Sequence, residues 1–231
     1  MKNNFKLILF IIIFLLFSYN SVFSHIGHYN NIKKLEMEVL RNNKVIGYSL
    51  YFFKKNGEET IITNQVQFEV KVLGAIIFKV EGFAEEKYLN DQLISFNSKT
   101  KQNGKVKFVN LLFNEKKKEF EINGSSYNGK ASSDNIIGSW WNHKILQATS
   151  QISPISGSIK KQIVTFIERK KIEQYGKTYY VDHFKLKSKN NNIPKDKRLD
   201  FDIWYDKKTG KIIKVSYSRL GNWEYRLKNY E

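Results

Sequence analysis

The stretch Leu35-Glu36-Met37-Glu38-Val39 alternates apolar and acidic residues, and Phe68-Glu69-Val70-Lys71-Val72 alternates apolar and charged residues in the same way. A period of two places all the apolar side chains on one face of an extended chain. This pattern is typical of antiparallel strands that are buried on one side and solvated on the other. The two stretches therefore predict an antiparallel sheet with an apolar inner face.

Further segments with the composition of strands extend this sheet along the chain. They are separated by sequences such as Asn42-Asn43, Asn56-Gly57 and Asn103-Gly104, which favour the left-handed backbone of tight hairpins. These predicted strands are 44–54, 75–88, 92–100, 105–113, 118–122, 159–172, 177–188, 199–205, 211–219 and 223–228. We expect a mainly all-β fold, an antiparallel meander that curves into a half-barrel or barrel around its own apolar face.

One segment, Ser139 to Ala148, has a helical pattern in which Trp141 and Ile145 would share one face behind a Ser cap. Loops rich in Gly and Ser flank it at 123–138 and 149–158. We therefore expect one short helix over the concave face of the sheet, as a lid or plug.

The start of the chain resembles a secretory signal peptide, because Lys2 and Lys6 precede the apolar run 7–17 and the small residue Ser24 offers a cleavage site. The chain has no Cys, which excludes a disulfide framework and the acylated Cys of a bacterial lipoprotein. We expect an exported, periplasmic protein that is soluble after cleavage. The predicted organisation is a signal peptide at 1–24, a flexible mature N-terminus at 25–34 and a single β-rich domain at 35–231.

The charge balance is strongly basic, with 39 Lys plus Arg against 22 Asp plus Glu and a formal charge of +17. Lys accounts for 34 of these cations, and they are scattered over predicted turns and strand ends. Readers of bases and phosphates depend on the bidentate fork of Arg, so we expect no nucleic-acid partner. Solvated strand exteriors explain most of the charge, and peripheral contact with an anionic membrane surface or an acidic partner is the alternative.

Several landmarks occur in an order that resembles a known family. They are Val45-Ile46-Gly47-Tyr48, Phe68 to Gly74, Ser139-Trp140-Trp141-Asn142, Ile203-Trp204-Tyr205-Asp206 and Trp223 to Leu227. This order resembles an exported bacterial family known as a domain of unknown function, number six-one-three-four, over about Leu35 to Leu227. The resemblance implies no particular chemistry. At the level of fold alone, a curved sheet under a helical element is similar to the periplasmic lipoprotein carriers, which shield acyl chains.

Bulky apolar residues form stripes that we expect to point inward, including Tyr48 with Leu50 and Phe52, and Phe78 with Ile76 and Val80. Such stripes either fill the concavity as core or leave an apolar pocket under the predicted helix. The candidate ligand-binding residues are Tyr48, Phe78, Trp140, Trp141, Ile145, Tyr205, Trp223 and Tyr225. The first hypothesis is that a hydrophobic or lipid-like molecule is bound without chemistry. The alternative is an envelope structural or assembly factor with a solid core, which docks an acidic partner or an anionic membrane.

A hydrolase is the weakest hypothesis. Alternation in the acidic run Asp200 to Asp206 places Asp200, Asp202, Trp204 and Asp206 on one face, where two carboxylates could act across a sugar. A solvated outer face neutralised by Lys207, Lys208 and Arg198 is the simpler interpretation, and the same holds for Glu81, Glu85 and Glu86. No nucleophile elbow or phosphate-binding loop occurs, so we expect no enzyme.

Histidines provide no clear metal site. His25 would begin the mature chain and His28 follows it, but their spacing differs from that of N-terminal copper and nickel motifs. We expect no metal and no cofactor. His183 is expected to be a hydrogen-bonded residue of the sheet wall. The sequence leaves the oligomeric state open.

Overall fold

A 15-stranded sheet dominates the computed structural model, which describes residues 26–190 and 192–231. The strands are β1 (Lys34–Arg41), β2 (Lys44–Asn56), β3 (Glu59–Val72), β4 (Ala75–Leu89), β5 (Gln92–Gln102), β6 (Lys105–Asn114), β7 (Glu119–Gly124), β8 (Tyr127–Ser132), β9 (Ile136–Ile137), β10 (Ser150–Ile152), β11 (Ile159–Gln174), β12 (Lys177–Ser188), β13 (Asp200–Asp206), β14 (Ile212–Ser218) and β15 (Asn222–Tyr230). Three 3-10 helices are η1 (Ile26–Tyr29), η2 (His143–Leu146) and η3 (Lys195–Lys197). The predicted signal peptide and His25 lie outside the described residues.

The strands follow one another as two meanders joined in the middle of the sheet. Their order is β8-β7-β6-β5-β4-β3-β2-β1-β15-β14-β13-β12-β11-β10-β9, so β1 pairs with β15 and the two meanders end at β8 and β9. All pairs are antiparallel except β9 with β10. The sheet curves without closing, which confirms the predicted half-barrel fold class.

A loop, rather than a strand pair, brings the two edges of the curved sheet together. In the β10–β11 connection, the Ser156 carbonyl accepts a hydrogen bond from the Ser126 amide at 2.9 Å. The Pro154 carbonyl accepts from Ser98 Oγ at 2.6 Å. The β10–β11 loop of one meander therefore contacts the β7–β8 turn and β5 of the other meander.

The helical segment is shorter than its pattern predicts. Helix η2 has four residues, and Asn142 caps it by accepting the Lys144 amide proton on its side-chain oxygen. The Nε2 group of Gln162 donates to the carbonyls of Ile145 and Ala148, at 2.8 and 2.9 Å. A side chain of β11 therefore takes the place of the continuing turns of an α-helix. The segment still lies over the concave face as expected.

Inward residues of nearly every strand form one main core. Fully buried members include Leu35, Met37, Leu111, Leu186 and Ile203. A second, smaller cluster at one end of the barrel consists of Val39, Phe68, Val70, Val80 and Trp223. We call this second cluster the end cluster.

The beginning of the described chain contributes to the core, within the segment 25–34 for which the sequence predicts a flexible mature N-terminus. Tyr29 is 2% exposed and Ile32 is 5% exposed. The Tyr29 ring stacks on Phe53 at 4.9 Å, and its hydroxyl accepts a hydrogen bond from the Ile212 amide at 3.1 Å. Tyr29 is buried because its aromatic ring extends the core at a place that the sheet alone would leave open to solvent.

The inward face of β2 is the opposite of the predicted one. Leu35 and Met37 of β1 point into the core, and they lie directly opposite Tyr51 and Ser49 of β2. Opposite residues of an antiparallel pair share a face, so Tyr48 lies on the convex side and is 38% exposed. The prediction failed because both faces of β2 carry bulky residues, and its alternation alone does not choose between them.

Gly47 lies where β2 crosses closest to β3. A Cβ atom at Gly47 would come within 2.0 Å of the Gln67 carbonyl oxygen and 2.5 Å of the Phe68 Cα. We expect Gly47→Ala to lower the free energy of unfolding by about 1–3 kcal/mol, because the two strands must separate to admit the methyl group. Urea denaturation measures this change.

The matched control is Gly57→Asn in the β2–β3 turn. Gly57 has φ +61°, which Asn tolerates, and a Cβ atom added there would meet nothing within 4 Å. The control should change stability by less than about 0.5 kcal/mol. Equal stabilities for wild type and Gly47→Ala would contradict the close approach of the strands.

Candidate functional site

The candidate ligand-binding residues do not form one site. The structure places Trp140, Trp141, Ile145 and Tyr205 with the main core, Phe78 and Trp223 with the end cluster, Tyr225 against both, and Tyr48 outside the barrel. Tyr205, Trp223 and Tyr225 point into the barrel, whereas Tyr48 does not.

Trp141 occupies the space in which a ligand was expected. Its side chain is fully buried, and Tyr29, Phe53 and Tyr88 meet its ring edge-on at centroid distances of 5.6, 5.7 and 5.8 Å. Ile145 beside it is also fully buried. Trp141 is therefore packed as a core residue.

A buried carboxylate holds Trp141 in place. Glu86 of β4 is 3% exposed, and its two oxygens accept hydrogen bonds from Tyr88 Oη at 2.6 Å and from Trp141 Nε1 at 3.0 Å. Asn142 Nδ2 donates in turn to Tyr88 Oη at 3.5 Å. These four residues link the segment before η2 to the inner face of β4.

Burial raises the pKa of Glu86, and hydrogen bonds from Tyr88, Trp141 and Ser139 oppose part of this effect. A carboxyl with such an environment is a common feature of active sites. Here, however, Trp141 and Tyr88 seal it from solvent, and the network connects chain segments. Its role in the structure is to anchor the plug.

The buried role of Glu86 differs from the prediction, in which Glu81, Glu85 and Glu86 were all acids of the outer face. The sequence does contain a signal for the burial of Glu86. In the alternation of β4, Glu86 falls on the same face as Val80 and Tyr88, and both of these residues are buried. Glu81 and Glu85 have the opposite parity and face outward as expected.

The acidic strand β13 carries its carboxylates on the convex face, as its alternation predicts. Lys185 binds both Asp200 and Asp202, at 2.7 and 2.8 Å, in place of the predicted Lys207, Lys208 and Arg198. His183 Nε2 lies 2.8 Å from Asp202, and the His183 ring stacks on Trp204 at 4.4 Å. His183 is thus a hydrogen-bonded residue of the sheet wall.

Charge pairing keeps Asp202 ionised. Burial alone would raise the pKa of Asp202, but hydrogen bonds from Lys185 and His183 outweigh it, and the pKa is lowered. A carboxyl held as the anion in an ion-pair network is poorly suited to donate a proton. The β13 carboxylates therefore fit a structural ion-pair network better than an acid and base pair.

Two clefts open on the convex face. One, of about 400 Å³, lies beside Trp204 and is lined by Lys170, Lys214 and Arg226. Its lysines are paired with carboxylates, Lys170 with Glu168 and Lys214 with Glu224.

The other cleft, of about 440 Å³, is lined mainly by polar and charged residues, including Lys185, Asp200 and Asp202. This second cleft lacks the apolar lining expected of a lipid pocket.

The fold brings His28 against His143, with ring centroids 4.7 Å apart. Within residues 26–190 and 192–231, no group of three or more metal-ligating side chains comes together. The same described part of the chain also has no helix with the length and apolar content needed to cross a bilayer.

Cations concentrate at the end of the barrel that holds the end cluster. In an antiparallel meander, alternate turns share one end, and contacts between them confirm this placement: Arg41 Nη2 donates to the Leu220 carbonyl, and the Lys79 amide donates to Asn103 Oδ1. We define the basic end as residues 41–45, 69–79, 99–107, 187–190, 192–198 and 219–222.

Charge is polarised between the two ends of the barrel. Four segments of the basic end, 41–45, 99–107, 187–190 and 219–222, contain Lys or Arg and no acid. The turns of the opposite end all mix acids with lysines; they are 54–59, 87–92, 113–119, 173–177 and 206–211. The net positive charge of the sequence is therefore directed toward one end.

A two-stranded ribbon projects from the basic end. Strand β2 pairs with β3 only as far as Phe68, and β5 pairs with β4 only from Val80 onward. Val70 and Phe78 still pack in the end cluster, so the part of 69–79 that extends beyond its neighbours is the tip, 71–77. Two residues on β3 and three on β4, at a rise of about 3.3 Å each, give a projection of about 7–10 Å. Val72, Leu73, Ile76 and Ile77 on this ribbon are exposed.

The end cluster anchors the base of the ribbon. Phe68 and Phe78 lie 6.0 Å apart, and Trp223 contacts them at 5.6 and 6.3 Å. Phe78 and Trp223, two of the predicted ligand-binding candidates, thus contact each other in support of this projection.

The family model for a domain of unknown function, DUF6134, matches residues 37–228. The chain belongs to this family. The match extends from β1 to β15 and includes both meanders of the DUF6134 fold, the Glu86–Trp141 network and the projecting ribbon. It confirms the resemblance drawn from the sequence landmarks.

A solved structure with a similar fold is the beta-barrel-like protein of domain of unknown function DUF1849 from Brucella abortus. It aligns with a TM-score of 0.60 and 8% identity, over 86% of this chain and 96% of that one. At this identity the similarity concerns the fold alone. No curated protein is similar in sequence to the DUF6134 chain.

Trp141 should contribute strongly to the stability of the DUF6134 fold. We expect Trp141→Ala to lower the free energy of unfolding by about 3–5 kcal/mol, because it leaves a cavity and removes a donor from Glu86. Chemical denaturation tests this, with Tyr48→Ala on the convex face as the aromatic control. A stable Trp141→Ala protein would indicate that the plug is not part of the core.

Glu86 should make stability depend on pH. Its folded pKa lies above the unfolded value, so its contribution is complete below the unfolded pKa of about 4.3 and is lost as pH rises through the folded pKa. Glu86→Gln removes this titration. The free energy of unfolding of Glu86→Gln, relative to that of wild type, should therefore increase as pH rises from 5 to 8. Urea denaturation at each pH measures this difference.

The control for this measurement is Glu81→Gln on the outer face of β4. A hydrogen bond from Lys79 lowers the pKa of Glu81, so this residue is ionised in both states across the same range. Its stability difference from wild type should not change between pH 5 and 8. If the stability difference between Glu86→Gln and wild type is also independent of pH, the pKa of Glu86 is not raised in the folded protein.

Proposed function

We propose that this protein is a non-enzymatic docking protein of the bacterial envelope, in which a packed barrel presents its basic end to an anionic membrane surface. One observation carries this proposal: the exposed apolar ribbon and the acid-free basic turns lie at the same end of the molecule. The predicted signal peptide supports an exported location, because it would deliver the chain to such a surface.

The filled interior favours docking over the carrier hypothesis. A lipid entering the concave face would have to displace Trp141, which is fully buried and hydrogen-bonded to Glu86. Displacement would leave the Glu86 carboxylate without one of its donors inside the barrel, which is costly in a water-excluded site. The ligand-carrying role therefore requires a rearrangement that docking does not.

The charge distribution is suited to an anionic bilayer. A Lys or Arg close to an anionic lipid surface contributes about 1 kcal/mol of attraction, and this effect extends over a Debye length of about 8 Å at physiological salt. Lys99, Lys101, Lys105 and Lys107 lie on the strands next to the ribbon. They would approach the head groups when the ribbon meets the membrane.

The exposed apolar side chains on the ribbon favour a lipid surface, rather than a purely charged partner, as the binding partner of the basic end. Exposed apolar residues scattered singly are ordinary, whereas a contiguous group marks an interaction surface. Val72, Leu73, Ile76 and Ile77 form such a group, and Lys71 and Lys79 flank it. This combination of apolar tip and cationic border fits the boundary between head groups and acyl chains.

Vesicle co-sedimentation tests the proposal. The purified protein should bind vesicles of phosphatidylglycerol and phosphatidylethanolamine at 50 mM NaCl and should bind phosphatidylcholine vesicles poorly. Raising the salt to 300 mM should weaken binding at least about tenfold, because the attraction is screened.

Charge reversal at the two ends supplies a matched pair of variants. Lys101→Glu, Lys105→Glu and Lys107→Glu together should abolish binding to the anionic vesicles. The corresponding set at the opposite end, Lys54→Glu, Lys55→Glu and Lys116→Glu, makes the same change in net charge and should retain most of the binding. Equal losses for both sets would refute a role specific to the basic end.

A further inference from the structure

Two turns of the basic end place a leucine in a backbone conformation that leucine disfavours. Leu73 has φ +50° and Leu220 has φ +51°, and each is followed by a Gly with positive φ. The left-handed region is disfavoured for bulky side chains, and Asn, Asp and Gly are the usual residues there. The β1–β2, β4–β5 and β5–β6 turns follow this preference with Asn42, Asn90 and Asn103.

The same two leucines are the most exposed large apolar residues described. Leu73 is 103% exposed and Leu220 is 89% exposed. A leucine at these positions therefore adds backbone strain without adding any packing within the chain. Tyr175, another bulky residue with positive φ, differs because its hydroxyl donates a hydrogen bond to Glu38 at 2.6 Å.

Both leucine turns are attached to the end cluster. Arg41 Nη2 donates to the Leu220 carbonyl at 2.5 Å, and the Arg41 guanidinium lies 5.8 Å from the Trp223 ring. On the other side, Trp223 contacts Phe78 at the base of the ribbon that carries Leu73. One rigid cluster thus holds the two exposed leucines at the same end of the barrel.

Cations are available beside these turns. Lys71 and Lys79 on the ribbon pair with Glu69 and Glu81, each at 2.7 Å. Lys105 of the adjacent turn, by contrast, has no carboxylate partner among residues 26–190 and 192–231. An anionic head group would supply the charge that Lys105 lacks.

We propose that Leu73 and Leu220 are insertion points, which enter the interfacial layer of an anionic phospholipid bilayer while the surrounding cations contact its head groups. This inference rests on the proposed docking function and specifies the residues that penetrate. The exposure and strain of the two leucines are then explained by the acyl-chain boundary, where their side chains become buried.

The test replaces both leucines with asparagine. Asn favours the left-handed backbone, so Leu73→Asn and Leu220→Asn should leave the melting temperature unchanged or raise it. Affinity for phosphatidylglycerol vesicles should fall about tenfold for each substitution, since an apolar contact is lost at each turn. Leu89→Asn, beside a turn of the opposite end, is the control and should retain full affinity.

Depth of insertion is a second readout. The chain has no Cys, so Leu73→Cys, Leu220→Cys and the control Leu89→Cys can each carry a single environment-sensitive fluorophore. On anionic vesicles, the labels at positions 73 and 220 should shift to the blue and be quenched by lipids with nitroxide groups near the head. The label at position 89 should show neither change.

The outcomes separate the two proposals. If the wild type binds anionic vesicles and the double Asn variant binds equally well, with unshifted labels, insertion by the leucines is refuted and electrostatic docking stands. If the wild type fails to bind these vesicles even at 50 mM NaCl, the docking function is refuted together with the insertion points. If the Asn variants lose affinity and the labels at positions 73 and 220 shift to the blue, both the docking function and insertion by the leucines are supported.

Discussion

The hydrogen bond from Trp141 to Glu86 is the contact on which the interior of this barrel depends. A curved sheet of this size encloses more space than its own inward side chains fill, and the segment before η2 fills the remainder. Glu86 requires donors because an unsatisfied carboxyl inside a protein is strongly destabilising. Trp141 meets this requirement with the one polar atom of a large apolar side chain. The plug and the inner wall are therefore coupled.

A solid interior moves the functional question to the outside of the molecule. The barrel has two chemically different ends, one with mixed charges and one with acid-free turns and exposed apolar side chains. The end cluster gives the second end its rigidity, since Phe68, Phe78 and Trp223 support the ribbon from inside. Aromatic residues that could have lined a pocket instead hold a projection in place. Function at such a surface needs neither a cofactor nor a buried cavity.

Much of the fold was predictable from local patterns, and the failures have physical causes. Alternation placed β1, β13 and β15 correctly because one face of each is clearly apolar. It failed at β2, where Tyr48 and Tyr51 offer two equally bulky faces and the choice is made by pairing with β1. It also missed β8 to β10, since these short strands occur in Gly- and Ser-rich sequence.

The candidate site was less predictable than the fold. Trp141 and Ile145 were expected to share one face over the concave sheet. The partner of Trp141, Glu86, lies more than fifty residues away, and no local pattern connects the two. The basic end depends on which turns share one end of the sheet, and that information is contained in the topology, whereas the sequence shows only scattered lysines.

The pairing of β1 with β15 has a consequence for how the chain folds. Seven hairpin-linked strands, β2 to β8, follow β1 and can pair in the order in which they are made. The other edge of β1 must wait for β15. Until then the first meander carries an open edge, which is a template for pairing with other chains. Glu36 and Glu38 on β1 are charges of the kind that discourage such pairing. The slow step of folding should be the meeting of the two meanders, because this contact spans the greatest separation along the sequence.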